Sequence, residues 1–271
     1  MKKFIILVLF LYATVYSIKM VPTLFHTVRP KQAKQCEKIN VVFNNNSDQS
    51  TGEILRIQKK RSSEIILYSC GSNHDKKIAL TFDDGPGQST KEILQILKKV
   101  NAKATFFMLG ERIQKNPELA KEVFALGHEI ANHTYEHKNF YDYNGEDKMH
   151  EMEKGLLKCE KIIKKMLNVK PFFVRFPYGY AKHDAIKVAR DNGYYVVNWS
   201  FGIDWAKIGA EEMHRKYKHA IRNGAIFLMH DLPKNSKVLL FLEAFVNEIK
   251  EAGYEIVTLS NLLNIKPDNE K

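Results

Sequence analysis

The sequence predicts an α/β fold in which a parallel sheet is covered by helices. Three observations carry that prediction. From residue 78 onward, short apolar runs alternate with amphipathic helical stretches, giving seven strand–helix units. The apolar runs are nearly continuous instead of alternating with polar residues, as in strands buried on both faces. Polar clusters follow the runs at their carboxyl ends, where open α/β sheets and β/α barrels both carry their chemistry. Periodicity alone leaves two arrangements open, a doubly wound sheet and an incomplete (β/α) barrel.

The elements follow in order. Ile78 to Phe82 is the first strand of the series, and Ile93, Leu94, Ile96, Leu97 and Val100 fall at helical spacing behind Ser89 or Thr90 as cap. Ala104 to Leu109 is the second strand. A helix then starts with Asn116 as cap and Pro117 in its first turn, and Gly127 follows its end. His128 to Asn132 is a strand, and Glu146 to Leu167 a long, lysine-rich helix. Phe172 to Phe176, Tyr195 to Trp199, Ala225 to Met229 and Glu255 to Leu259 complete the seven strands. Between them lie helices over Asp184 to Asn192, Glu211 to Asn223 and Val238 to Ala252, the first and last closed by Gly193 and Gly253. Residues 18–70 are harder to read, although Gly52 to Ile57 and Glu64 to Tyr68 alternate as short strands do.

The chain has 271 residues, of which 44% are hydrophobic and 27% charged, enough apolar content for a substantial core. Lys2 and Lys3 precede an apolar stretch from Phe4 to Tyr16, and Val15 and Ser17 supply a small-residue cleavage pattern. That stretch is too short to cross a hydrocarbon layer of ~30 Å comfortably. Residues 1–17 are therefore expected to be a signal peptide cleaved after Ser17, and an uncleaved anchor is the membrane-attached alternative. Loss of Lys2 and Lys3 lowers the formal charge from +11 to +9. A basic surface favours anionic surroundings such as wall polymers. No arginine-rich arm or basic–aromatic alternation points to nucleic acid as a partner. Cys36, Cys70 and Cys159 lack metal-knuckle spacing; secretion makes a Cys36–Cys70 bridge plausible, and Cys159 reads as a buried thiol. Asn45-Asn46-Ser47 is a glycosylation pattern in a polar loop, whereas matches at Asn132 and Asn198 fall in core structure.

Five polar clusters mark the carboxyl ends of successive strands. They are Asp83-Asp84-Gly85-Pro86, His133 with His137, Arg175-Phe176-Pro177-Tyr178-Gly179, Asp204-Trp205, and His230-Asp231. Adjacent aspartates leaving a strand point in different directions, so one can bind a cation while the other stays free as a base. Histidines four residues apart can face one ion, and a carboxylate completes a three-ligand set that leaves positions open, as in catalytic divalent sites. Such a site can polarise a carbonyl, which amide hydrolysis requires. Each residue also has a plain alternative. Asp83 and Asp84 suit a turn ahead of Gly85-Pro86, a His pair occurs on ordinary helices, and Trp205 suits packing. Only the joint pattern favours chemistry.

In order and spacing, these motifs resemble the series that marks the polysaccharide deacetylases, carbohydrate esterase family 4, also called the NodB homology domain. The resemblance spans roughly residues 70–263 and rests on Thr81-Phe82-Asp83-Asp84-Gly85-Pro86, His133-Thr134-Tyr135-Glu136-His137, Arg175-Phe176-Pro177-Tyr178-Gly179, Asp204-Trp205 and Leu228-Met229-His230. It implies a distorted (β/α)7 barrel of NodB type. It divides the chain into a signal peptide (1–17), an N-terminal extension (18–70), a catalytic domain (71–265) and a polar tail (266–271). It implies a metal-dependent deacetylase of N-acetylglucosamine polymers, with chitin or chito-oligosaccharides ahead of peptidoglycan. Asp84, His133 and His137 would hold one divalent ion, zinc or cobalt. Asp83 would be the general base, oriented by Arg175, and His230 the general acid, supported by Asp204. The Tyr178 backbone N–H would bind the oxyanion, and Pro177, Trp205 and Leu228 would line the acetyl pocket. The implied location is extracellular, at the cell wall or surface.

The chain departs from the family pattern in the fourth motif. The family usually has an aspartate three residues before the Asp-Trp pair, and here that position is Phe201. This departure motivates an alternative expectation, a wall protein that binds glycan without turnover.

Overall fold

The computed structural model of the protein describes residues 39–42 and 64–265. The leader, the Asn45 pattern, the Gly52 to Ile57 strand and Cys36 lie outside the described residues. Nine strands form one sheet: β1 (Ile39–Val42), β2 (Glu64–Tyr68), β3 (Lys77–Gly85), β4 (Thr105–Met108), β5 (Glu129–Asn132), β6 (Phe173–Val174), β7 (Tyr195–Val197), β8 (Ile226–His230) and β9 (Glu255–Ile256). The spatial order is β1-β2-β7-β6-β5-β4-β3-β8, with β9 beside β3. Every pairing is parallel except that of β1 with β2. Around the sheet lie α1 (Thr90–Lys99), α2 (Gly110–Lys115), α3 (Pro117–Ala125), α4 (Lys148–Leu167), α5 (His183–Asp191), α6 (Ala210–His219), α7 (Leu242–Glu251) and α8 (Leu259–Leu263). Of the two arrangements left open by periodicity, the curled sheet with surrounding helices is the observed one: a distorted barrel.

The distortion lies at the seam between β7 and β8. At one end β2 pairs with β7 through Leu67–Val196 and Tyr68–Val197, and Cys70 then bridges Ala225 just ahead of β8. At the other end, Phe201 bridges Phe227 directly, with Leu228 N–H donating to Phe201 O at 2.8 Å. The stretch 64–70, which precedes the expected catalytic boundary, thus forms part of the barrel wall.

Alternation along β3 sets out the two sides of that wall. Ile78, Leu80 and Phe82 join Phe106, Met108, Phe227 and Met229 in a core covered by Leu94 and Leu97 of α1, Tyr217 of α6 and Phe245 and Ile249 of α7. Ala79 belongs instead to an inner cluster with Phe107, Ala131, Phe173, Val197 and Ile226, which Leu259 and Leu262 of α8 plug. Thr81 and Asp83 continue the Ala79 side toward the carboxyl end. Arg175 is buried between the inner cluster and the polar residues of the open end, its guanidinium 4.1 Å from the Phe107 ring centre.

Several expected boundaries are corrected. A separate helix, α2, precedes the one starting at Pro117. The helix expected over Val238 to Ala252 is two elements, a 3-10 stretch from Pro233 to Leu240 and then α7, because Phe241, at φ −132° and ψ −7°, leaves the helical region between them. The helix expected to Asn223 stops at His219, and the strand expected to reach Leu259 stops at Ile256. There, the Leu259 N–H donates to Thr105 Oγ1 and starts α8 instead. Ser89 and Asn116 occupy cap positions but make no side-chain cap bond. Gly127, Gly193 and Gly253 follow their helices with φ of +78°, +77° and +80°, as end-of-helix glycines should. Among the described residues, no helix is long and apolar enough to cross a membrane.

Candidate active site

The open end of the barrel gathers the five polar clusters. Asp84 lies at the end of β3, and His133 and His137 follow β5. One ligand atom from each lies within 4.8 Å of the others. Asp84 Oδ1 is 3.3 Å from His133 Nε2 and 3.1 Å from His137 Nε2. His133 Nδ1 sits 2.6 Å from the Arg175 carbonyl oxygen. A carbonyl only accepts, so Nδ1 carries the hydrogen and a neutral His133 turns its Nε2 lone pair toward Asp84. Asp84 Oδ1 is buried and has no hydrogen-bond partner. Two imidazole nitrogens and an orphaned carboxylate oxygen facing one point need positive charge between them. A divalent cation fits this N₂O donor set, and the backbone acceptor behind His133 is the usual outer partner of a metal-binding imidazole. Burial pushes the Asp84 carboxyl up, but positive charge facing Oδ1, on the imidazoles or on a cation held between them, outweighs that and holds it well below the usual carboxylate range.

Asp83, the neighbour, is held differently. Arg175 is fully buried, and its Nη1 donates to Asp83 Oδ1 at 2.6 Å. Three more guanidinium hydrogens go to Thr81 Oγ1, Val197 O and Asn198 O, each at 2.9 Å, and the group lies 4.1 Å from the Phe107 ring centre. Thr81 is in turn fixed by its own bond to Phe227 O at 2.8 Å. Burial lowers the Arg175 pKa, and the Asp83 charge and hydrogen bond offset part of that. Asp83 Oδ2 is left 3.9 Å from His133 Nε2, beside the cation position but outside its ligand set.

Across the cleft, His230 ends β8. Its Nδ1 lies 2.8 Å from Asp204 Oδ1, and its backbone N–H donates to Asp204 Oδ2 at 2.7 Å. The carboxylate fixes the hydrogen on Nδ1 and leaves Nε2 to the cleft. Burial alone would lower the His230 pKa, but the Asp204 hydrogen bond and charge, with smaller help from Asp83 and Asp84, push it up to about 9. Leu228 is buried, while Trp205 and Tyr178 are more than half exposed beside the cleft. Trp205 meets the His230 ring edge-on at 5.8 Å, and Tyr178 meets the His137 ring at 4.6 Å. Pro177 and Tyr178 lie in a single 3-10 turn with Tyr178 at φ +60°.

Backbone strain marks the same place. Among the described residues, six non-glycine residues have positive φ; Asn101, Asn168 and Asn264 are asparagines following helices, a tolerated case. The other three are Asp84 (+74°), Thr134 (+71°) and Tyr178 (+60°), one from each of the first three motifs. Left-handed aspartate, threonine and tyrosine at one cleft are the pattern of a functional site.

Contacts link Asp83, Asp84, His133, His137 and Arg175; His230, on the strand next to β3, pairs with Asp204, and Trp205 and Tyr178 lie against His230 and His137. Other residues, which no motif marks, support the site. Tyr217 on α6 donates to Leu228 O at 2.7 Å and accepts the Ile203 N–H at 3.2 Å, so it carries both the pocket residue and the loop before Asp204. Its signal was only that of a core aromatic. Asn132 binds Leu156 O and Tyr194 and accepts the Thr134 N–H at 2.8 Å, which fixes the turn between β5 and His137. Phe201 packs edge-on against Tyr217 at 5.0 Å and near Phe227, in the seam and not beside His230.

Comparison with known proteins agrees with this geometry. The profile of the polysaccharide deacetylase family matches residues 70–197. A peptidoglycan-N-acetylglucosamine deacetylase of Bacillus cereus is 38% identical over 166 residues, covering 60% of this chain and 76% of that protein. A chitooligosaccharide deacetylase of Bradyrhizobium is 33% identical over 129 residues, 47% of this chain and 57% of that one. Among solved structures, the Bc1960 peptidoglycan N-acetylglucosamine deacetylase superposes with a TM-score of 0.70 at 31% identity, covering 75% of this chain and 95% of that chain.

Proposed function

Since this chain belongs to the polysaccharide deacetylase family, we propose that it hydrolyses the N-acetyl groups of a β-1,4-linked N-acetylglucosamine glycan and releases acetate. The observation that carries this reading is the convergence of Asp84, His133 and His137 on one point, with Asp83 free beside it and His230 across the cleft. A divalent cation held by those three ligands, zinc by their chemistry, supplies Lewis-acid polarisation of the acetyl carbonyl.

The remaining work falls to the chain's own residues. Asp83, fixed through Oδ1 by Arg175, takes a proton from the attacking water with its other oxygen. An amine leaves an amide poorly unless protonated, and His230 Nε2 is the group placed to donate that proton. Its raised pKa keeps it charged at neutral pH. The Tyr178 N–H stabilises the oxyanion. Pro177, Leu228 and Trp205 enclose the acetyl methyl group.

The greater similarity to peptidoglycan deacetylases supports wall glycan as the substrate, ahead of the chitin fragments that the motifs alone suggested. The leader-like residues 1–17 support action outside the cytoplasm, at the wall or cell surface. The test is acetate release by zinc-loaded protein from N-acetylglucosamine oligomers and from peptidoglycan fragments, with Asp83→Asn as control. Release from either substrate, abolished in the variant, is expected. No release above the control from both would overturn the reading in favour of a glycan-binding protein without turnover.

A further inference from the structure

One buried carboxyl group at the cleft has no part in the chemistry above. Asp231 follows His230 and is completely buried. Its Oδ2 accepts from Thr90 Oγ1 at 2.6 Å, while Oδ1 has no hydrogen-bond partner. Thr90 Oγ1 in turn accepts the Gly87 N–H at 2.7 Å. The Asp231 N–H donates to Asp83 O at 3.3 Å. The carboxyl group lies directly on the Gly85 backbone, where an added Cβ would sit 2.0 Å from Oδ2. A Cβ on Gly87 would sit 2.6 Å from Asp231 O. Asp231 and Thr90 therefore grip the turn Asp83 to Gly87 at its start, middle and end.

That turn contains Asp84 at φ +74°. A left-handed conformation costs an ordinary residue about 1–2 kcal/mol and persists only where the surroundings over-determine it. The helix that follows holds the turn through its first residue, Thr90, whose N–H also donates to Gly87 O at 3.2 Å, while Ser89 makes no side-chain cap bond. An apolar side chain would fill the Asp231 site without burying a half-satisfied carboxyl group, so packing alone does not account for this residue.

We propose that Asp231 and Thr90 form a positioning clamp that holds the turn Asp83 to Gly87, keeping Asp84 in its left-handed, cation-ligating conformation and Asp83 in register with His230. Neither residue touches cation or substrate; both act through the turn. The inference rests on the reading of Asp84 as a ligand.

The test is titration of metal-stripped protein with zinc, comparing wild type with Thr90→Val and Thr90→Ser. Valine keeps the shape and removes the hydroxyl that joins Gly87 to Asp231; serine keeps the hydroxyl. Thr90→Val is expected to weaken zinc binding about tenfold, the size of one buried hydrogen bond, and to lower kcat with KM little changed. Thr90→Ser is expected to restore most of the zinc affinity. Asp231→Ala should behave as Thr90→Val does. Val246→Ala on α7, a core truncation of comparable or greater cost to the fold, should leave zinc affinity at the wild-type value. Wild-type zinc affinity in Thr90→Val, or an equal loss in Val246→Ala, would overturn the clamp alone. A wild-type protein that takes up no zinc would overturn the ligand reading and the clamp with it.

Discussion

At the scale of single residues, the site holds two largely buried pairs, Arg175 with Asp83 and His230 with Asp204. Arg175 is a buried cation whose counter-ion is Asp83. Breaking a buried pair from one side costs about 3–5 kcal/mol, because the other charge is left unpaired. Arg175→Met should therefore lower unfolding stability by about that amount in urea titration, and should abolish turnover. Arg175→Lys retains the charge but loses the fork that also binds Thr81, Val197 and Asn198; activity should fall sharply with a smaller stability loss.

His230 sets the alkaline limit. The acid must carry a proton, and the Asp204 interactions push its pKa up to about 9, so kcat should stay level through neutral pH and fall as pH passes about 9. Asp204→Asn removes the chief raising influence, and the falling limb should move toward lower pH. The same shift has a stability consequence. A histidine whose folded pKa is raised contributes stability that is complete below its unfolded pKa, about 6.5. That contribution should disappear as pH rises through about 9, visible as a fall in the unfolding midpoint that Asp204→Asn lacks.

Elements carry the next level of argument, and the seam between β7 and β8 is the informative one. Phe201 stands where the family usually has an aspartate, and its ring packs against Tyr217 and Phe227, not at the acid. Phe201→Ala should cost about 2 kcal/mol in chemical unfolding, below the value for a fully buried phenylalanine because the ring is only half-buried. Zinc affinity should be unaffected, since Phe201 touches none of Asp84, His133 or His137.

The same element shows what the sequence makes legible. Most strands from 78 onward are recognisable because both their faces are buried, which produces unbroken apolar runs, and glycines at their left-handed positions mark several helix ends. Asp83, Asp84 and His230 end neighbouring parallel strands and His133 follows another, so one parallel sheet sets them at the same end. Two kinds of feature escape. Closure of the seam depends on contacts between distant segments, Cys70 with Ala225 and Phe201 with Phe227, and no local periodicity encodes these. Supporting residues such as Tyr217, Asn132 and Thr90 resemble ordinary core or cap residues, and their tasks emerge only from the groups they meet. The helix drawn through Phe241 failed for a local reason: apolar spacing continues across it while the backbone does not.

For the whole molecule, charge and site act together. The full chain carries a formal charge of +11, and an anionic wall glycan is attracted to it in a way that salt screens. Raising ionic strength from about 50 to 500 mM should slow deacetylation of peptidoglycan fragments more than that of neutral chitin oligomers. Equal salt responses for the two substrates would remove charge as a determinant of substrate choice.

If Asp84, His133 and His137 share one cation, metal analysis of the purified protein detects it. About one transition-metal ion per chain is the expected content, with none retained by a folded His133→Ala variant. Protein that folds but takes up no ion on zinc addition, or a His133→Ala variant that binds as wild type does, would contradict the account.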